Sequence, residues 1–441
     1  MKCINCGTDN KLKDRTANRG RCLKCNHPFV FEPTSMGTAT ITDSMFSKTL
    51  ADISASYTLY FTPKQLLYFL DSRVRKKVLQ PIGFWSLYLF LNVFLNVWVT
   101  GSVGGFTAAF IRNSFLVVNL VYQALTIWYL FNNTNSSSVN NASRKASAKT
   151  LQRLGVVILV VGISASLFVL DSFSVFSIVV VLGLLSIFLG TRQLGKVQNL
   201  PQELLFSSTD LDSWLRKWQQ INGKVDQVLT SQQEQIAPKS INPDITAYSF
   251  DRLVVCDSAN MAQLLIANNF HFENNCAILS ITGYPQSIFN TTMEMLRRNP
   301  DLKVYAIHDC SPKGVSLVHH LRTSEKWFLN SNVTIIDLGL LPRQIIASQG
   351  KMFIRFSSQL KDEAKKLSVD IRQSLTAEEL AWLDTGNFVE LESFTPQKLI
   401  QVLRHGISGS LNLESDDSSI ILIGDSGINS GNDIYMVESF G

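Results

Sequence analysis

Four stretches of this chain are apolar and free of charge: residues 82–100, 114–131, 154–170 and 173–190. Each is 17 to 19 residues long, close to the roughly 20 that a helix needs to cross the hydrocarbon layer of a bilayer. They predict a four-span membrane domain over 81–191. After about residue 250 the pattern changes. "RLVVCD", "CAILSI", "KVYAIHD" and "VTIIDL" are short runs rich in β-branched residues, separated by the helical patterns "SANMAQLLIANN", "QSIFNTTMEMLRRN" and "GVSLVHHLRT". Strand alternating with helix predicts a parallel, Rossmann-like α/β sheet over 246–345. Such sheets place their chemistry beyond the carboxyl ends of the strands, where Cys256, Asp257, Asp309, Asp337 and the turn Thr282–Pro285 fall. Elsewhere the pattern is weaker. Residues 34–80 read as a linker and juxtamembrane segment, 192–245 as a helical linker, and 346–441 as a helical extension ending in a strand near Ile420 that joins the sheet.

Composition agrees with membrane residence: of 441 residues, 46% are hydrophobic and only 17% charged, a low share of charge for a soluble protein. Basic residues precede the first span (Arg73, Arg75, Lys76, Lys77), separate the second from the third (Arg144, Lys145, Lys149, Arg153) and follow the fourth (Arg192, Lys196). Positive charge gathers on the cytoplasmic side, so both termini are expected in the cytoplasm, in a multi-pass protein of a bacterial inner membrane. The four spans contain no ionisable residue, which argues against a substrate or proton path. Asn92 and Asn96, four apart, suit a helix-pairing face within a lipid anchor.

Seven cysteines divide into four near the start, Cys3, Cys6, Cys22 and Cys25, and three scattered ones. Paired C-x2-C knuckles offer four thiolates, a set that closes a tetrahedral structural zinc site and leaves no open position for water. Gly7 and Asn26 follow the knuckles, where a tight thiolate turn favours residues tolerant of positive φ. Residues 1–33 thus resemble the short zinc ribbons that begin many bacterial membrane proteins, with His27 a bystander.

"VVCDSANM", "SITGYPQS", "YAIHDCSPKGVSL" and "IIDLGLLPRQI", in that order, resemble the Toprim domain of the type IIB topoisomerase A subunit family. The resemblance implies a site in which a glutamate ends the first strand and Asp-x-Asp-Pro-x-Gly follows the third, holding Mg²⁺ for phosphodiester chemistry. Here Cys256 stands in the glutamate's place and Ser311 in that of the second aspartate, while Asp309, Pro312 and Gly314 match. The expectation is therefore a degenerate, non-catalytic Toprim-like domain that engages a cytoplasmic protein partner or nucleic acid. One alternative is a tethered Mg²⁺-dependent nuclease or phosphotransferase using Asp257 and Asp309. Another is a nucleotide or anion sensor, with Gly283, Lys313 and Gly314 presenting turns to phosphate.

Overall fold

A computed structural model describes the chain apart from residues 35, 37–40, 76–80, 103–107, 137–138, 140, 169–171, 198–200, 230–250, 287–288, 298–301, 330, 349–351, 410–418, 424–433 and 439–441. The chain forms two compact units, one built from Met1–Val74 with Pro201–Gly441 and the other from Arg75–Leu200.

The cysteine segment carries the short helix α1 (Leu12–Ala17) and leads to α2 (Asp43–Ile53) and α3 (Pro63–Val74). Much of the segment read as linker and juxtamembrane chain is therefore helical, in α2 and α3. The Thr42 hydroxyl caps α2 by accepting the Met45 N–H at 3.2 Å, and Phe46, Leu50 and Ile53, at the i, i+4, i+7 spacing of one helix face, are buried. They share a core with Phe31 and with Leu66 and Leu70 of α3. Asp43 fastens the cysteine segment to this body, its carboxylate accepting the N–H groups of Val30 and Phe31 at 3.0 Å each.

The second unit contains α4 (Pro81–Ser102), α5 (Ala108–Asn135), α6 (Asn141–Phe168) and α7 (Phe173–Val197). Among the described residues two helices are long and apolar enough to cross a membrane, Ser143–Phe168 and Phe173–Lys196. Only 28% and 22% of their apolar windows are buried, whereas a core helix of a soluble protein would bury most of its surface. α6 and α7 pack antiparallel through glycines seven residues apart. A Cβ on Gly162 would lie 2.4 Å from Val179 Cγ1, and one on Gly155 would lie 2.6 Å from Ile187 Cγ1. Gly183 and Gly190 of α7 are equally crowded, by Leu159 and Gln152. Ser186 donates to the Leu151 carbonyl at 2.7 Å. Small residues and a buried hydroxyl are the devices that join helices where no hydrophobic effect separates protein from lipid. α4 and α5 meet through polar groups instead: Tyr88 donates to Gln123 at 2.8 Å and Asn92 to Asn119 at 3.4 Å. The side chain of Asn96 lies outside the described residues.

Back in the first unit, α8 (Ser208–Asn222) adds Leu211, Leu215 and Trp218 to the core around α2 and α3. The parallel sheet follows, with strands β1 (Arg252–Cys256), β2 (Cys276–Ser280), β3 (Lys303–Ile307) and β4 (Thr334–Asp337) in the order β2-β1-β3-β4. Side chains alternate between its faces as strand geometry requires. Val254, Cys256, Ile278, Tyr305 and Ile307 enter one core, and Leu253, Val255, Leu279, Val304 and Ala306 the other. α9 (Ala259–Ala267) covers the first face, aided by α10 (Phe270–Glu273). α11 (Phe289–Arg297) and α13 (Leu317–Thr323) cover the second, and α12 (Pro312–Val315) and α14 (Pro342–Ala347) start the turns after β3 and β4. The region from 355 to 409 holds the two-stranded antiparallel pair β5 (Arg355–Phe356) and β6 (Asn387–Phe388), with α15 (Ser358–Lys365), α16 (Val369–Ser374), α17 (Ala377–Asp384) and α18 (Pro396–Gly409). The strand at Ile420 does not join the sheet as expected. β7 (Ser419–Ile423) pairs antiparallel with β8 (Ile434–Glu438) in a separate ribbon, which satisfies its backbone without the sheet.

Candidate functional site

From β1 the chain passes through α9 to β2 on one side, then crosses to β3 on the other, so the strand order reverses between β1 and β3. The carboxyl ends of the strands flanking such a reversal form the usual ligand crevice of an open α/β sheet. Asp257 and Asp309 stand there. Asp257 Oδ2 accepts the Asp309 N–H at 2.8 Å. Its Oδ1 is buried and has no hydrogen-bond partner among the described residues. Asp309 Oδ1 accepts the N–H of Leu391 at 2.7 Å, a bond 82 residues long in sequence. Asp309 thus fixes a distant segment rather than capping its own turn. The cap belongs to Ser311, whose hydroxyl accepts the Gly314 N–H at 3.1 Å.

The crevice is filled by the chain itself. Cys310 and Val389 exchange both backbone hydrogen bonds, at 2.9 and 3.0 Å. Behind this bridge Lys64 of α3 reaches Glu390 at 2.6 Å and Glu392 at 3.4 Å. Thr62 donates to Glu392 at 2.8 Å, and the Tyr68 hydroxyl and Arg355 both bind Glu390. Burial lowers the affinity of Lys64 for its proton, but Glu390 and Glu392 more than offset this and raise its pKa. Burial, followed by the neighbouring Asp257 charge, pushes Asp309 well above the ordinary carboxylate range. Asp257 is raised by burial against the opposing pull of the Asp309 N–H and of His308.

His308 was not singled out in the sequence, yet it is the centre of this end of the sheet. Its ring is fully buried, with Nδ1 2.8 Å from the Asp309 carbonyl and Nε2 3.0 Å from Asp337 Oδ1. The Nε2–H is not aligned with that oxygen, so this is an ion pair rather than a straight hydrogen bond. Burial alone would depress the imidazole; the Asp337 carboxylate, the Asp309 carbonyl and Asp257 outweigh it and carry the pKa to about 9. Asp337 in turn is raised by burial and lowered more strongly by His308 and by the Gly339 N–H, leaving it below its ordinary value.

Two glycines of the quoted motifs make room for this pair. A Cβ on Gly314 would fall 2.0 Å from the Asp309 carbonyl oxygen, and one on Gly339 would fall 2.3 Å from His308 Nε2. The N–H groups of Leu338 and Leu340 bind the carbonyls of Ala306 and His308 at 2.9 and 3.0 Å. The Leu-Gly-Leu stretch is therefore a wrapper around His308. Gly283 takes φ 87° and gives its N–H to Ser280 at 2.9 Å. With the Gly314 N–H also committed, neither turn offers that donor to a phosphate, and Lys313 is exposed.

Cys256 is buried at the end of β1, where burial, Asp257 and Cys276 hold its thiol well above the ordinary range. That is poor provision for a hard cation, which requires oxygen ligands. Among the described residues only Cys3, Cys6, Cys22 and Cys25 bring three or more ligand atoms together, all within 4.8 Å of one another. Cys3 and Cys25 Sγ are 3.6 Å apart, as are Cys6 and Cys22. A tetrahedral zinc with Zn–S of about 2.3 Å needs sulfurs about 3.8 Å apart, so the four cysteines fit such an ion.

The two knuckles repeat one another. Cys3 and Cys22 accept the N–H groups of Gly7 and Asn26 at 2.9 Å, and their own N–H groups bind Thr8 and His27 at 2.9 Å. Gly7 and Asn26 take φ 72° and 57°, the left-handed region that the sequence led us to expect. Asn10, which the sequence did not single out, is fully buried. It accepts the Leu23 N–H at 2.9 Å and donates to Cys22 Sγ at 3.5 Å. The Cys25 N–H, followed by Lys24 and Asn10, draws the Cys22 thiol down to about 6. His27 stands outside the cluster, its Nε2 buried without a hydrogen-bond partner among the described residues. The chain matches no protein-family model, and no curated protein is significantly similar to it.

Proposed function

We propose that this is a membrane-anchored zinc-ribbon protein of four spans, with both ends in the cytoplasm, whose α/β domain is a degenerate Toprim-like module that binds a cytoplasmic partner without catalysis. The observation that carries this reading is the use made of Asp309. One oxygen of its carboxylate is committed to the Leu391 N–H, and the segment around Glu390, held by Lys64, bridges to the chain at Cys310 beside the strand reversal. Where a Toprim centre would hold Mg²⁺ among several carboxylates, burial favours the neutral forms of Asp257 and Asp309, and the nearby ammonium of Lys64 pairs with Glu390 and Glu392.

The architecture of the first unit supports an even number of membrane crossings. Phe61 pairs with Val228 and Thr62 with Glu392, so the chain before residue 75 and the chain after residue 200 share one body and lie on one side. Helices α4 to α7 are four in number, and basic residues gather before the first, between the second and third, and after the fourth.

The test is a titration of the full chain with Mg²⁺ and Mn²⁺, followed by a plasmid-nicking assay. The expected result is no binding and no nicking by the unmodified protein, with metal binding created by Cys256→Glu together with Ser311→Asp. Tight Mg²⁺ binding and nicking that Asp309→Ala abolishes would overturn the proposal in favour of a nuclease.

A further inference from the structure

We propose that the exposed face of the cysteine segment docks on an anionic lipid surface. The inference rests on the membrane reading above and extends it from the apolar helices to the segment 1–33. That segment holds 7 basic against 3 acidic side chains, +4 of the +5 carried by all 441 residues. A zinc tetrathiolate would absorb two of those charges and leave the rest.

The acids of the segment are already engaged. Asp9 binds the N-terminal ammonium at 2.7 Å, Asp14 accepts the Lys11 N–H at 2.8 Å, and Glu32 pairs with the buried Arg15 at 2.8 Å. Lys11, Lys13, Arg21 and Lys24 are exposed, and none of them forms an ion pair with an acid among the described residues.

Between these cations stand two aliphatic side chains in solvent, Leu12 at 48% and Leu23 at 58% exposure. Lys11 and Lys13 flank the first, and Lys24 follows the second. Asn10 ties the two stretches to one another, because its side chain, two residues before Leu12, accepts the Leu23 N–H. Aliphatic groups ringed by Lys and Arg match the boundary between acyl chains and anionic headgroups, which takes up both. A nucleic-acid surface would be met instead by rings or planar donors placed against bases. No exposed residue of the segment is aromatic: Phe31 is buried and Phe29 half-buried. The same chain carries two helices long and apolar enough to cross a membrane.

The experiment uses the full chain in nanodiscs of phosphatidylcholine alone and of phosphatidylcholine mixed with phosphatidylglycerol. Acetylation rates of Lys11, Lys13 and Lys24 are read by mass spectrometry, with exposed Lys361 as internal reference. In the anionic discs the three lysines should react several-fold more slowly, and high salt should restore them. Arg21→Ser should lower the protection of the remaining lysines by roughly fivefold, the ratio expected for one basic residue at such a surface. Leu12→Ser with Leu23→Ser should reduce it further. Zinc content of each variant reports whether the segment is still folded, and if a variant loses zinc the salt dependence of the unmodified protein decides. Equal rates in both kinds of disc would overturn the proposal, as would protection that appears only when a DNA or RNA oligonucleotide is added to neutral discs. A chain that fails to enter discs at all would refute the membrane reading instead.

Discussion

Replacing Asp337 by Asn should remove the pH dependence of stability that the buried His308 pair confers on the α/β body. In the folded protein the imidazole titrates at about 9, against an ordinary 6.5. At about 1.36 kcal/mol per pH unit that difference amounts to about 3 kcal/mol. Because the folded value is the higher one, this stability is fully present below about pH 6.5 and is lost as pH rises through 9. In Asp337→Asn the buried ring loses its counter-charge, so burial favours the neutral form and the loss between those limits should vanish. The variant should therefore be weaker than the unmodified chain by about 3 kcal/mol at pH 6 and nearly equal to it above pH 9.5. The raised carboxyls of Asp257 and Asp309 also titrate in both chains, and because His308 pulls on Asp257 the difference reports the His308–Asp337 pair together with that smaller coupling. Guanidinium unfolding of the detergent-solubilised chain, followed through Trp327 and Trp382, measures it. A difference that stays constant from pH 6 to 9.5 would show that His308 is not charged in the fold.

Two further outcomes are expected. Gly162→Leu should lower the unfolding midpoint of α6 and α7 in sodium dodecyl sulfate by the equivalent of about 1 to 3 kcal/mol, because even a Cβ there would lie 2.4 Å from Val179. Gly195→Ala, where a Cβ meets nothing within 4 Å, should leave the midpoint unchanged. Cys22→Ser should abolish stoichiometric zinc in metal analysis of the purified chain, since three thiolates no longer close the tetrahedron; retention of one zinc per chain would rule out the four-cysteine site.

The four sheet strands and the cysteine knuckles were legible because each is set by residues close together in sequence. Five-residue β-branched runs make buried strands, and C-x2-C with a following Gly7 or Asn26 makes a turn. α2 was missed within the segment read as a linker: Phe46, Leu50 and Ile53 carry its period, but the Ser and Thr around them mask a stripe only one face wide. The closure of the crevice was not legible either. Lys64 and Glu390 are 326 residues apart, and nothing local marks either as a partner. His308 was hidden for a different reason: a histidine beside Asp309 draws no attention until Gly314 and Gly339 are seen to clear space for its surroundings. The seven-residue spacing of Gly155 with Gly162, and of Gly183 with Gly190, was a readable packing signal.

The grip of α3 on the segment around Glu390 sets a condition on biosynthesis. Thr62 and Glu392 are separated by 330 residues, and at about 5 to 20 residues per second the ribosome needs roughly 15 to 65 s to deliver the second after the first. Throughout that interval the whole of Arg75–Leu200 emerges, while Lys64 and Tyr68 wait without their carboxylates. A nascent chain interrupted anywhere before Glu390 would thus display an open, unlatched α3. Quality-control factors would have a marker of incompleteness that disappears only once Glu390 and Glu392 have emerged.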